Sequence, residues 1–475
     1  MIKRFIRRNF QPAQLVVLSF ASVIVLGTIL LSLPISTQSR EGLRIIDAFF
    51  TAVSATCVTG LIVVDTGTVF SAFGQIVILT CIQIGGLGLM TFTTVFLVFT
   101  GRRLAIADSI AIQESFTQTP TGKLKTLVKY IILASFTIEA IGAFLLTIHW
   151  YWSGRFASLG ETVYHAVFHS VSAFCNAGFA LYADSLMGFQ SDTPTILIMS
   201  TLIIVGGLGF LVGLDVKEYV QMRLFYRFWA QRVKERVDTI RSVPRLSLHT
   251  KLVLITTFAL LVIGTVSYFI LERRELFAEM SLGIAWLNAF FCSVTARTAG
   301  FNAIDFAGMG ASGLLCTMVL MFIGASPGST GGGVKTSTFG LLVAYSLTRW
   351  RGFINLNIFN RTIAPESIDK AGAVVVSAIA LIILAGSFLM ASETLRLQPE
   401  ASHTAFVGII FETISAFATV GLSLGQTPLL TDPGKLMISV VMFIGRTGPL
   451  TLALAISRRR RRTQFRYAEE NVMIG

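Results

Sequence analysis

Long apolar runs alternate with short apolar segments along the chain. Six of the long runs contain no charged side chain, and two more are interrupted once, by Glu139 and by Arg446. A helix that crosses a bilayer needs about 20 mainly apolar residues, so the pattern predicts eight membrane-spanning helices. The predicted spans are 9–39, 66–101, 130–154, 193–214, 252–271, 306–334, 371–392 and 436–457.

The four short apolar segments are copies of one another. They lie near 47–56, 163–174, 284–295 and 405–417, and each is too short to cross a bilayer, which predicts re-entrant half-helices. Their sequences are FFTAVSATCVTGL (49–61), VFHSVSAFCNAGF (167–179), FFCSVTARTAGF (290–301) and IFETISAFATVGL (410–422). Each copy has Ser or Thr near the end of its half-helix and then reaches a glycine, at intervals of 118, 122 and 121 residues. The chain is therefore predicted to repeat one unit four times: long helix, half-helix, glycine turn and long helix.

Composition narrows the class of protein. The hydrophobic fraction is 53% and the charged fraction 13%, with a mean hydropathy of +0.74. These values predict a polytopic membrane protein and argue against a soluble enzyme, a disordered chain or a disulfide-stapled domain. The five cysteines lie in apolar stretches without CxxC spacing or a histidine cluster, so we expect packing residues, no metal site and no cofactor in this chain.

Basic residues predict the orientation. Of the 38 Lys and Arg residues, 28 lie in 1–14, 101–129, 217–251, 349–370 and 458–466. By the positive-inside rule these segments and both termini are cytoplasmic, and the half-helices enter from outside. All four copies then share one orientation, which predicts a fourfold axis normal to the membrane. An alternating-access transporter, the alternative, would favour inverted repeats. The run 458–462 fits an anchor at the anionic inner leaflet better than a nucleic-acid site.

The predicted boundaries follow from the repeats. Repeat one covers 1–101, repeat two 102–232, repeat three 233–352 and repeat four 353–457, followed by a basic tail at 458–475. The expected fold class is an all-α polytopic membrane protein, with four parallel helix–half-helix–filter–helix repeats around a pseudo-fourfold pore.

The recurring glycine predicts an ion filter. Glycine adopts positive φ at no Cβ cost, so four such turns can direct carbonyl oxygens at one axis and replace the hydration shell of a cation. The fourth copy reads Thr419-Val420-Gly421, like the opening of the potassium-channel filter signature. The predicted filter residues are Cys57, Val58, Thr59, Gly60, Cys175, Asn176, Ala177, Gly178, Arg297, Thr298, Ala299, Gly300, Ala418, Thr419, Val420 and Gly421.

The segment 322–338 reads FIGASPGSTGGGVKTST and cannot form a continuous helix. Because it lies between apolar flanks, it is predicted to be a broken helix that faces a cavity. It is not a nucleotide-binding loop, since Val334 stands where that motif needs glycine. The GGLG stretches at 85–88 and 206–209 are interpreted as sites of close helix packing.

Charged residues at membrane depth leave alternatives open. Arg446 is predicted to line the cavity near 322–338 as an electrostatic barrier, the alternative being an ion pair with Glu412 or Glu139. Lys335 either faces the path or reaches the cytoplasmic interface. The side chain of Arg297 is expected behind the filter, against a neighbouring half-helix. Three polar side chains on the half-helices are expected to make orienting contacts rather than bind ligands: His165, His169 and Glu412.

At these motifs the chain resembles the Trk/Ktr/HKT superfamily of potassium transporters, almost from end to end. Within it the chain is most similar to the KtrB-type membrane subunits of bacterial Ktr systems, since one long helix precedes the first half-helix and 467–475 resembles their terminal segment. The resemblance implies potassium uptake, with sodium dependence, through a channel-like pore in the bacterial inner membrane, rather than enzyme activity. All four filter glycines are present, which implies potassium rather than sodium.

The resemblance also implies regulation and assembly. It makes 322–338 an intramembrane gate, with the residues Gly324, Ala325, Ser326, Pro327, Gly328, Ser329, Thr330, Gly331, Gly332, Gly333, Lys335 and Arg446. It implies a homodimer, with Val472, Ile474 and Gly475 at the interface, and control by a cytosolic KtrA-type RCK ring that carries the nucleotide. A Trk/HKT-like pore that needs no partner is the alternative.

Overall fold

The structure is a computed structural model that describes residues 12–87, 124–229, 245–394 and 399–448. These ranges contain fourteen α-helices, four short 3₁₀ turns and one hairpin of two-residue strands, β1 Asn357–Ile358 and β2 Arg361–Thr362. The architecture of the described residues is therefore almost wholly helical.

Three helices recur in each repeat, in the order outer helix, half-helix and inner helix. In the first repeat they are α1 Pro12–Leu31, α2 Ile45–Thr56 and α3 Ala72–Gly86. In the second they are α4 Leu124–Trp152, α5 Leu159–Phe174 and α6 Thr193–Leu208, extended by α7 Phe210–Trp229. In the third they are α8 Leu248–Glu272, α9 Leu282–Thr295 and α10 Ala311–Phe322, followed by α11 Thr336–Trp350. In the fourth they are α12 Pro365–Thr394, α13 Pro399–Ala418 and α14 Asp432–Thr447.

Long apolar helices form the outside of the molecule. By length and composition, Val128–Trp152, Leu248–Glu272 and Pro365–Glu393 are each able to span a membrane. Their outward faces carry exposed large apolar side chains, such as Phe144, Phe258 and Leu384. Apolar side chains that face outward suit a lipid environment, where water does not oppose them.

Two of the eight predicted spans are not continuous. The run 193–214 is divided into α6 and α7, which meet at an angle of 97°. The run 306–334 ends its helix at Phe322, as the glycine-rich composition of 322–338 predicted. The runs 66–101 and 436–457 extend beyond the described residues, which include only α3 and α14 of them.

The half-helices form the centre of the molecule. α2, α5 and α9 are 12, 16 and 14 residues long, and the apolar part of α13 is Ala405–Ala418. The same motif position holds a fully buried phenylalanine in every copy: Phe50, Phe168, Phe291 and Phe411. The repeat therefore recurs in the core as well as in the sequence.

A buried ion pair joins the fourth repeat to the first. Lys435 Nζ on α14 lies 2.7 Å from Asp47 Oδ1 on α2, and the two side chains are 9% and 12% exposed. Beside them, the exposed Arg44 Nη2 lies 2.5 Å from Asp432 Oδ1. These pairs close the ring of repeats without a covalent link.

We expect Lys435→Met to destabilise the protein strongly, because it removes the closest ion-pair partner of the buried Asp47 carboxylate, at 2.7 Å, and leaves the exposed Arg44, whose Nε lies 3.8 Å from Asp47 Oδ2. Breaking a buried pair in this way costs about 3–5 kcal/mol of unfolding free energy. Thermal unfolding of the purified protein in detergent measures the effect. Arg44→Met is the comparison, because Arg44 is exposed and lies farther from Asp47 than Lys435 does, and its exposed pair with Asp432 contributes about 1 kcal/mol or less. Equal losses in the two variants would contradict a special role for the buried pair.

Candidate ion-conduction site

The four motif glycines meet in a closed ring. A Cβ atom built on any one of them would collide with the backbone of the next copy, on a carbonyl oxygen and on the following glycine Cα. The carbonyl oxygens met by Gly60, Gly178, Gly300 and Gly421 are those of Ala177, Ala299, Val420 and Thr59 respectively. The contacts run through the copies in order and return from the fourth to the first. Four strands therefore surround one axis, with no room for a side chain at the glycines.

The backbone of each strand alternates in handedness. Two residues per copy have positive φ, a glycine and the residue two positions before it. The pairs are Val58 and Gly60, Asn176 and Gly178, Thr298 and Gly300, and Thr419 and Gly421. Alternating φ turns successive carbonyls to one side of a strand, as a cation site made of carbonyl oxygens requires. A non-glycine residue with positive φ is strained and persists only where its surroundings hold it.

Hydroxyl groups of the half-helices provide that support. The N–H groups of Gly60 and Gly421 donate to Ser54 Oγ and Ser415 Oγ, at 3.1 and 3.0 Å. In the other two copies the hydroxyl donates to the carbonyl after the glycine. These bonds are Ser172 Oγ to Phe179 O and Thr295 Oγ1 to Phe301 O, both 2.7 Å. The sequence motif contains these hydroxyls at a constant place, but their partners become visible only in the fold.

The third copy closes the same ring with one residue fewer. In the second copy the Ala177 N–H donates to Ser172 O, five residues back, at 2.8 Å. In the third copy the equivalent Ala299 N–H donates to Thr295 O, four residues back, at 3.0 Å. A tighter turn thus absorbs the missing residue, and Thr298 and Gly300 keep their positive φ.

Arg297 points away from the axis. Its side chain is 7% exposed, and Nη1 donates to the carbonyl of Thr257 on α8 at 3.4 Å. The predicted direction, behind the strand, agrees with this contact. The partner differs from the prediction, because it is the outer helix of the same repeat rather than a neighbouring half-helix.

Two polar side chains orient the segments that follow the glycines. His169 Nδ1 donates to His165 O at 2.8 Å, and its Nε2 accepts from the Leu181 N–H at 3.3 Å. In the fourth repeat, Glu412 accepts from the Leu424 N–H at 3.2 Å and from Thr427 Oγ1 at 2.8 Å. Both side chains make the orientation contacts that the sequence predicted for them.

The central part of the segment 322–338, residues 323–335, lies against one end of the glycine ring. A Cβ atom on Gly331 would meet Thr298 Oγ1, and one on Gly332 would meet Thr419 Oγ1. Thr330 Oγ1 donates to the carbonyl of Phe174, at the end of α5, at 3.3 Å. The segment therefore touches backbone or side chains of three different strands or half-helices.

This segment also explains the break between α6 and α7. Gly209 has a φ of 94°, which ends the helix and frees carbonyls in the last turn. The Ser326 and Thr330 N–H groups take up the carbonyls of Gly207 and Gly206, at 3.0 and 3.3 Å. In return the Phe210 N–H donates to Gly328 O at 3.0 Å. The sequence GGLG at 206–209 is therefore a docking point for the third repeat as well as a packing site.

Two cations hold the segment in place. Lys335 Nζ donates to Gly331 O at 2.7 Å and to Gly332 O at 3.3 Å, so it turns inward rather than to the cytoplasmic interface. Arg446 donates through Nη1 to Thr330 O and through Nη2 to Gly85 O, which ties the segment to α3 and α14. The alternative ion pairs of Arg446 with Glu139 or Glu412 are not formed among the described residues.

A family model for cation transport proteins, TrkH, matches residues 6–462. The chain belongs to the TrkH family. It is accordingly a transport protein rather than an enzyme. The resemblance found in the sequence to KtrB-type subunits of this family is confirmed by relatives of nearly equal length.

Proteins similar to this chain come from several bacteria. The Ktr system potassium uptake protein B of Bacillus subtilis is 40% identical and covers 98% of this chain and 97% of its own length. The potassium/sodium uptake protein NtpJ of Enterococcus hirae is 35% identical, and both chains are covered completely. The crystal structure of the potassium transporter TrkH from Vibrio parahaemolyticus matches with a TM-score of 0.66 at 18% identity, over 92% of this chain and 84% of that one. This likeness in fold confirms the predicted all-α polytopic membrane protein.

Proposed function

We propose that this TrkH-family protein takes up potassium through a channel-like pore, down the electrochemical gradient. The observation that carries the proposal is the closed ring of four glycines, each on a strand of alternating φ. The selectivity filter is formed by the carbonyls of 57–60, 175–178, 297–300 and 418–421. Potassium is the ion named for the Ktr relative and is one of the two named for NtpJ.

The segment 322–338 acts as the gate. The position of the segment supports this role, because Gly331 and Gly332 lie directly against Thr298 and Thr419 of two filter strands. Lys335 and Arg446 place positive charge beside the same segment, which opposes the passage of cations while the segment stays there. Opening displaces 324–337 from the filter.

A cytosolic KtrA-type ring, which carries the nucleotide, moves the inner helices and opens the gate. The name of the Bacillus relative, a protein of a Ktr system, supports a partner subunit. The name of NtpJ supports an influence of sodium. We further propose a homodimer in the bacterial inner membrane with cytoplasmic termini. The predicted interface residues Val472, Ile474 and Gly475 lie outside the described residues.

Rubidium uptake in a bacterial strain that lacks potassium uptake tests the proposal. We expect uptake by this chain to rise about 5- to 150-fold when a KtrA-type subunit is co-expressed, the range that an allosteric coupling of 1–3 kcal/mol gives. Equal uptake with and without the subunit would indicate the alternative, a pore that needs no partner. No uptake in either strain, with normal amounts of protein in the membrane, would contradict potassium uptake itself.

A further inference from the structure

A polar pair lies behind the second filter strand. Gln83 on α3 donates through Nε2 to both carboxylate oxygens of Glu139 on α4, at 2.9 and 3.2 Å. Glu139 is 4% exposed and sits within an otherwise apolar span. An ionisable side chain at such a depth is costly and is usually retained for function.

At the position of Glu139, the other three repeats carry an aliphatic side chain rather than a carboxylate. Ser170 Oγ on α5 donates to the Glu139 carbonyl at 2.7 Å, and Ser293 Oγ on α9 donates to the Leu261 carbonyl at 3.0 Å. Leu261 is therefore the counterpart of Glu139 in the third repeat. Glu139 stands three residues before Gly142 on its outer helix. The residues three positions before the outer-helix glycines Gly27 and Gly386 are Ile24 and Ile383, which are the counterparts in the first and fourth repeats. Three of the four repeats thus place an aliphatic side chain at this position.

The same comparison applies to Gln83. It precedes by two residues the glycine Gly85, where an added Cβ would meet the carbonyl of Thr56 at the end of the half-helix. Gly206 and Gly445 have the same relation to Phe174 and Phe417. The counterparts of Gln83 in the second and fourth repeats are therefore Ile204 and Phe443. Both members of the polar pair therefore replace apolar residues, and they do so at the same interface between repeats one and two.

The pair meets a residue of the filter. Cys175 Sγ lies 3.9 Å from Gln83 Oε1 and 3.9 Å from Glu139 Oε1. Cys175 is buried and directly follows α5, where the second strand begins. Gln83 and Glu139 hold each other while both contact this thiol, so they restrict the position of Cys175 from two helices.

We propose that Gln83 and Glu139 are a positioning pair that fixes the second filter strand through Cys175 and thereby contributes to the preference for potassium over sodium. This inference rests on the proposed function. A strand that is held from behind resists contraction of its carbonyls around the smaller ion. Glu139 acts as a hydrogen-bond acceptor in this role, and a neutral side chain of the same shape can replace it.

Fluxes of rubidium and radiolabelled sodium into liposomes that contain the purified full-length protein test the pair. We expect Glu139→Leu and Gln83→Leu each to lower the rubidium-to-sodium ratio about tenfold, the effect of losing one buried hydrogen-bonded partner. The double variant loses no more than either single one, because the two residues act as a unit. Glu139→Gln keeps the ratio within about twofold, since an amide preserves the contact with Gln83.

Two controls separate the outcomes. Glu272→Leu removes another buried carboxylate, which accepts from the Gly310 N–H at 3.4 Å at the start of α10, and it leaves the ratio unchanged. Gly178→Ser changes the second filter strand itself and lowers the ratio. If Gly178→Ser lowers the ratio and Glu139→Leu does not, the pair has no positioning role, although the filter assignment stands. If Gly178→Ser leaves the ratio intact, the filter assignment fails. Equal losses in Glu139→Gln and Glu139→Leu would overturn positioning in favour of the charge.

Discussion

Gly421→Ser is expected to abolish most of the discrimination between potassium and sodium. Gly421 has a φ of 92°, and a Cβ at this position would collide with the carbonyl oxygen of Thr59 and the Cα of Gly60. The strand must move, and the carbonyls of two copies move with it. We expect this displacement to reduce the difference between the binding free energies of potassium and sodium by about 1–3 kcal/mol, which corresponds to about a 5- to 150-fold lower permeability ratio.

Ion fluxes in liposomes, or reversal potentials if currents can be recorded, measure this ratio. Gly425→Ser is the matched control, because Gly425 also has a positive φ, 81°, yet no heavy atom lies within 4 Å of its would-be Cβ. The control carries the strain of an unfavourable φ without the collision at the ring. A potassium preference that survives Gly421→Ser intact would refute the filter assignment.

Arg446→Gln is expected to raise potassium uptake in the absence of any partner subunit. The guanidinium donates to the carbonyls of Thr330 and Gly85, and so ties the segment 323–335 to two inner helices. A hydrogen bond from a charged group contributes about 1.5–3 kcal/mol, so the loss of one shifts the equilibrium of the proposed gate roughly 10- to 150-fold toward the displaced state. The positive charge beside the path is lost in the same step.

Rubidium uptake at matched protein amounts measures the effect. Arg446→Lys separates the two causes, because an ammonium keeps the charge but lacks the planar fork that reaches two carbonyls. We expect this variant to fall between the parent and Arg446→Gln. If Arg446→Gln reaches the membrane in normal amounts and its uptake stays at the parent level, the arginine does not hold the gate closed.

The fold was predictable because its signals are local and repeated. Runs of apolar residues predicted the outer helices, and the recurring motif at Gly60, Gly178, Gly300 and Gly421 predicted the central ring. The composition of 322–338 predicted the end of α10, since glycine and proline break a helix wherever they cluster.

The features that sequence reasoning missed depend on distant partners. Gly209 ends α6 because Ser326 and Thr330, more than 100 residues further along, supply N–H groups to the freed carbonyls. No pattern near 206–209 indicates these distant partners. The glycines there indicate close helix packing and nothing about the third repeat. The partners of Arg297 and Arg446 are backbone carbonyls, which every residue carries, and only the fold decides which of them lies within reach. The sequence shows that a hydroxyl recurs at one place in each half-helix. It does not show which backbone group that hydroxyl binds, because the partner is decided by the fold.

The ion pair between Lys435 and Asp47 has a consequence for the biosynthesis of the protein. The two residues are 388 positions apart, so Asp47 is synthesised long before its partner. During that interval the basic side chain beside Asp47 is Arg44 of the same repeat, whose Nε lies 3.8 Å from Asp47 Oδ2. Synthesis of the last quarter of the chain then supplies Lys435 and the helices of the fourth repeat together. A chain whose synthesis stops before the fourth repeat lacks Gly421 and therefore cannot close the ring of four glycines.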